Sequence, residues 1–167
     1  MRGKSSIKKE AERVHEAVMY SAQGQFEQAK IWNKRNTRLG IPATGLSAIA
    51  GVTGLATTVG RIPAGLMALL AAFLTSIMTT LNYARKIDQA HSSGNAYLSL
   101  QQDVRIFLEI DLDKLNETDA REQLSTLVAR QQEINGTALL PSEKSYQNAK
   151  KNIKTGGQNY KADKRTK

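Results

Sequence analysis

Two long uncharged stretches meet at a single arginine. Residues 39–60 hold no Asp, Glu, Lys, Arg or His across 22 positions, and residues 62–84 hold none across another 23; Arg61 alone carries charge between them. A bilayer core is about 30 Å thick, and a helix of ~20 mostly apolar residues crosses it. Inside it, every backbone group needs an internal partner. The pattern predicts a transmembrane helical hairpin at 39–84, with spans at about 41–59 and 63–84 and a turn at 60–62.

The mean hydropathy of -0.43 looks like that of an ordinary soluble chain, because the average hides a segregated sequence. Net charge is +5 over residues 1–38, +1 at Arg61, -3 over 85–139 and +6 over 140–167, giving +9 in all. Basic residues flank cytoplasmic ends of membrane helices. Lys34, Arg35 and Arg38 before the first span, with Arg85 and Lys86 after the second, are therefore expected at the inner interface. Arg61 is expected in the outer turn, and both termini in the cytoplasm. There is no cysteine, which excludes a disulfide framework, Cys-ligated zinc and a thiol nucleophile. A secretory signal would place its apolar run nearer the N-terminus, so residues 1–38 are expected to belong to the mature protein.

The remaining segments read as helices, and no strand is evident. Residues 5–36 form an N-terminal cytoplasmic amphipathic helix with an uneven stripe of Val14, Val18, Tyr20, Phe26, Ala29 and Trp32. Gly40 punctuates the chain and Pro42 starts the first span. Residues 85–154 form a cytoplasmic helical region. Its first helix continues from the second span through Ile87, Ala90, Tyr97, Leu100, Val104, Phe107 and Leu108, with Gly94 as a weak point. A connection follows at 111–119. A helix capped by Thr118 carries Leu124, Leu127, Val128 and Ile134 and ends at Asn135-Gly136. Pro141 and Ser142 open a polar helix to about Lys154. Residues 155–167 are a disordered basic tail.

Each span carries a small or hydroxylated stripe. Thr44, Ser47, Gly51, Gly54 and Thr58 fall within roughly 80° of helix surface, and Ala68, Ala71, Ala72, Thr75, Thr79, Asn82 and Lys86 within roughly 100°. Small residues let membrane helices approach closely, which makes Thr44, Ser47, Gly51, Gly54, Thr58, Ala68 and Ala72 candidate packing positions. Thr75, Thr79 and Asn82 are candidate pore-lining positions, because a carboxamide at membrane depth needs a partner or water. Two helices enclose no pore, so a channel requires a homo-oligomer.

Catalysis has little to build on. His15 and His91 lie on separate helices with no triad partners. The acidic cluster Asp111, Asp113, Glu117, Asp119 and Glu122 lacks the Gly of a calcium loop and reads as a solvated connection. Metal, cofactor and enzymatic activity are not expected. Lys161, Lys164, Arg165 and Lys167 in the tail suit anionic lipid better than nucleic acid, since Tyr146 and Tyr160 are too few for a stacking platform.

The order of these features resembles the SLATT family, the SMODS- and SLOG-associating two-transmembrane effector domain. The resemblance runs from about Phe26 to Ile153. It rests on Phe26, Ala29 and Trp32; the LGIP entry at 39–42; the Gly/Ala/Ser-rich first span; the LTSIMTTLNY run at 74–83; His91 and Tyr97-Leu98-Ser99-Leu100; and Pro141, Tyr146, Ala149 and Lys150. The resemblance implies an all-α, multi-pass protein of the bacterial inner membrane that oligomerises and perforates it in antiviral defence, causing cell death or arrest. It implies partners as well: a nucleotide-signal synthase or sensor, or a reverse transcriptase and its RNA. This chain departs from the family in having no fused nucleotide-binding domain. Two other readings compete: a non-conducting membrane adaptor whose cytoplasmic helices and tail hold a partner protein or nucleic acid, and a soluble protein with the hairpin as its core.

Overall fold

The computed structural model describes residues 2–56 and 61–158, and these are all-helical. The elements are α1 (Arg2–Ala56), α2 (Arg61–Leu81), α3 (Tyr83–Ile106), a π-helical turn (Phe107–Asp111), α4 (Glu117–Thr137) and α5 (Glu143–Lys154). They divide into two compact units, one of residues 1–28 with 89–167 and the other of 29–88.

In the first unit, apolar positions of α1 recur at helical spacing: Ile7, Ala11, Val14, Val18 and Ala22 are buried. They pack with Tyr97, Leu100 and Val104 of α3, then Phe107 and Leu112, and with Ala120, Leu124, Leu127 and Ile134 of α4. This is an amphipathic helical bundle in which each helix turns one stripe inward. The π turn keeps the packing in phase: the Leu112 N–H reaches the Phe107 carbonyl at 2.9 Å, and both residues of this five-residue step are buried. Arg130 of α4 pairs with Asp103 and donates to Ser99 Oγ at 3.1 Å, tying α3 to α4.

Several sequence expectations change. Pro42 does not start a helix; it lies inside α1, which runs through it. Proline withholds one N–H and crowds the preceding turn, but the helical residues on both sides carry the helix across. Gly94 does not break α3. It makes room for Phe26, whose Cε1 lies 2.8 Å from where a Cβ would stand. The N-cap of α4 is Asn116, not Thr118, its Oδ1 accepting the Asp119 N–H at 2.9 Å. Asn135-Gly136 does not end α4, which continues to Thr137. Arg61 and Ile62, expected in the turn, open α2. Ser142 caps α5 as expected.

The least expected packing lies at residues 22–28, AQGQFEQ. All but Phe26 are buried. The Gln25 Nε2 donates to the Leu139 carbonyl at 2.6 Å, and Gln28 Oε1 accepts the Ser142 N–H at 2.8 Å. The Phe26 ring meets His91 with centroids 6.0 Å apart. The segment 138–142 thus straps α1 through side-chain amides that stand in for backbone partners.

Candidate functional site

The site is built in the unit of residues 29–88, where α2 packs beside the second half of α1. Gly40 lies against Met78, whose Cε is 3.2 Å from a Cβ built there. The buried seam consists of Ala43 and Ala50 on α1 and Ala64 and Ala71 on α2. Each pair is seven residues apart, two helical turns on one face, and alanine allows close approach.

Ala71 belongs to the stripe expected on the second span, and the other small-residue positions lie beside this seam. Thr44, Ser47, Gly51, Ala68 and Ala72 are exposed, and a Cβ added at Gly51 would meet nothing within 4 Å. They line two open grooves along the helix pair. One, of about 660 Å³, is lined by Thr44, Ser47, Thr75, Thr79 and Asn82 among others. The second, of about 850 Å³, is lined by Ser47, Gly51, Ala68, Ala72 and Thr75 among others. The structure thus brings Thr75, Thr79 and Asn82 onto one groove and places Thr44, Ser47, Gly51, Ala68 and Ala72, exposed, along the two grooves. Gly54 lies in α1, while Thr58 falls outside the described residues, as do the Arg61 side chain and the tail from residue 159.

Four of the hydroxyls in these grooves already spend their protons. Thr44 donates to the Gly40 carbonyl at 2.9 Å, Ser47 to Ala43 at 3.0 Å, Thr75 to Ala71 at 2.9 Å and Thr79 to Thr75 at 3.0 Å. Each is an i to i-4 bond within its own helix, the way a membrane helix satisfies Ser and Thr. What remains toward the groove is oxygen lone pairs.

Asn82 does more than line a groove. Its φ of 45° is the only positive value at a non-glycine among the described residues. Its N–H donates to the Met78 carbonyl at 3.0 Å, closing α2, and its Oδ1 accepts the Arg85 N–H at 3.4 Å, opening α3. The second helix therefore does not run unbroken through Arg85. Asparagine tolerates the left-handed region better than other side chains, the signal that could have located this joint. Lys34, Arg35, Arg38 and Arg85 are exposed and Lys86 half-buried. Both clusters lie at one end of the pair, where Asn36 and Ala84 line the same groove.

Among the described residues one helical run, Ile62–Asp111 with its joint at Asn82, is long and apolar enough to cross a membrane; its most apolar window has mean hydropathy 1.9 and is 11% buried. Ile62, Leu66, Leu69, Leu70 and Phe73 of α2 and Ile41, Ile49 and Val52 of α1 are exposed. No three His, Cys, Asp or Glu among the described residues group to hold a metal.

His15 and Tyr97 belong to the first unit. Burial, then the Arg105 charge, lowers the His15 pKa, with Glu109 opposing. Burial raises that of Tyr97, whose hydroxyl donates to Asn135 Oδ1 at 2.6 Å. No family model matches the chain, and no curated protein or solved structure matches it.

Proposed function

We propose that this protein is an inner-membrane effector of the SLATT type. Residues 39–84 insert as a two-span hairpin with both termini cytoplasmic. Protomers assemble, and a trigger opens a pore or disrupts the bilayer. The observation that carries this reading is the exposure of α2: its large apolar side chains face outward, whereas the core helix of a soluble protein would have them covered. Back-bonded hydroxyls and an alanine seam suit a water-free setting. The grooves bearing Thr75 and Thr79 supply the faces that protomers would share or that water would fill. A trigger from a nucleotide-signal synthase or sensor, or from a reverse transcriptase and its RNA, must favour the open assembly to shift it.

Leu70→Arg tests insertion. An arginine at a span centre costs about 2.5–3.5 kcal/mol on insertion scales, so the variant should leave carbonate-washed membranes while the parent stays. Release of both would sink the membrane reading. Conductance is tested in liposomes: Thr75→Leu with Thr79→Leu should preserve assembly and abolish ion flux. Flux equal to that of the parent would remove these positions from a pore. If the parent triggers arrest while a potential-sensitive dye reports an intact membrane, the second reading takes over. That reading is a non-conducting adaptor, favoured by the strap at 138–142, an extended segment that the Gln25 and Gln28 side chains of α1 hold by hydrogen bonds.

A further inference from the structure

The exposed face of α5 carries a stripe of lysines held in fixed register. Ser145 and Ala149 are fully buried, one helical turn apart. They clamp the rotation of the helix, and the Ser142 cap, whose carbonyl accepts the Ser145 hydroxyl at 2.7 Å, fixes its start. Lys144, Gln147, Lys151 and Lys154 follow at steps of 3, 4 and 3 and are all exposed. At about 100° per residue they lie within roughly 80°, on the side opposite the buried pair. None of the three lysines forms an ion pair or hydrogen bond among the described residues. The one nearby acid, Glu143, accepts the Gln147 Nε2 at 2.6 Å at the edge of the stripe. Four cations and one acid in the twelve residues of α5 leave a local excess of +3.

We propose that this face docks on anionic phospholipid headgroups. Charge complementarity asks for a polyanion, and the residue types choose among polyanions. Residues 140–158 contain no arginine, the side chain suited to bidentate phosphate and base recognition in nucleic acids. Tyr146, 44% exposed, is the single aromatic there, and one ring builds no stacking surface for bases. Lysines as mobile point charges match a fluid layer of headgroups, where each contributes independently. The inference rests on the membrane reading above, which keeps α5 on the same chain as a bilayer-inserted segment and so raises its effective concentration at the surface.

The absence of native cysteine permits a clean test. Gln147→Cys is labelled with an environment-sensitive fluorophore, and the full chain is reconstituted into nanodiscs of phosphatidylcholine alone or with about one third phosphatidylserine. Docking predicts a blue shift only in the anionic discs, reversed by 0.5 M salt because surface charges are screened. Lys144→Gln, Lys151→Gln and Lys154→Gln should each lower the docked-to-free ratio about fivefold. An identical spectrum in both discs overturns the proposal, as does a shift produced by RNA on neutral discs and not by phosphatidylserine. Failure of the membrane reading shows differently: the chain would elute apart from neutral discs before any label is read.

Discussion

The AQGQFEQ segment of α1 and the apolar helix α2 invert the usual relation between polarity and burial. Residues 22–28 are rich in glutamine, yet six of the seven are buried. α2 is apolar, yet its largest side chains, Phe73 at 64% and Leu69 at 69%, are exposed. The difference teaches that burial follows from which partners arrive. Around residues 22–28 the strap brings a carbonyl to Gln25 Nε2 and an N–H to Gln28 Oε1, which offsets part of the cost of burying these carboxamides, while Gln25 Oε1 has no hydrogen-bond partner among the described residues. Around α2 the large apolar side chains stay exposed among the described residues, and the proposed remedy is lipid or a second protomer.

Substitution of like residues in the two regions sharpens this contrast. The largest effect is expected at Phe107, which is fully buried. Phe107→Ala should lower stability by about 3–5 kcal/mol, whereas Phe73→Ala should shift the same denaturant transition in detergent by no more than ~0.5 kcal/mol. Equal losses would mean that α2 is covered in the isolated chain. The glycines come next. Gly94→Ala drives a Cβ into Phe26 and should cost about 1–3 kcal/mol, recovered in part by Phe26→Leu. Gly51→Ala meets open space and should leave the fold unchanged; a loss of stability at Gly51 would reverse the comparison. Asn82→Ala should cost about 1 kcal/mol by forcing the left-handed region, and Asn82→Gly should be tolerated, as read by thermal unfolding.

The smallest effect concerns pH in the bundle. The folded-state pKa of His15 lies below its ordinary value of 6.5. Between the two values the unfolded chain binds the extra proton, so stability is fully present above pH 6.5 and declines as pH falls through the window beneath it. Acidification from pH 7.5 to 5.5 should lower the transition midpoint of the parent more than that of His15→Gln. A larger acid sensitivity in the variant would contradict the sign.

Much of the bundle was legible, because helical spacing alone marked Val14 and Val18, then Tyr97, Leu100, Val104 and Phe107, then Leu124, Leu127 and Ile134. The site was legible in part. Thr75, Thr79 and Asn82 do share one groove, but of the seam residues Ala43, Ala50, Ala64 and Ala71 only Ala71 belongs to a stripe expected from sequence. Alanine is small on either face, so composition does not select between neighbouring stripes. The expectation at Asn82 rests on its carboxamide, whereas the structure uses the left-handed backbone that asparagine allows.

By itself, the sequence determined the uncharged stretches, the segregation of charge to their flanks and the helical period of the amphipathic segments. Each is a property of one chain segment facing one solvent. Only the tertiary structure decided that a glutamine-rich stretch is buried, that Pro42 is spanned by a helix, and that an alanine seam joins α1 to α2. These depend on groups distant in sequence. The Leu139 carbonyl meets Gln25 across 114 residues, and no local pattern encodes a partner so far away.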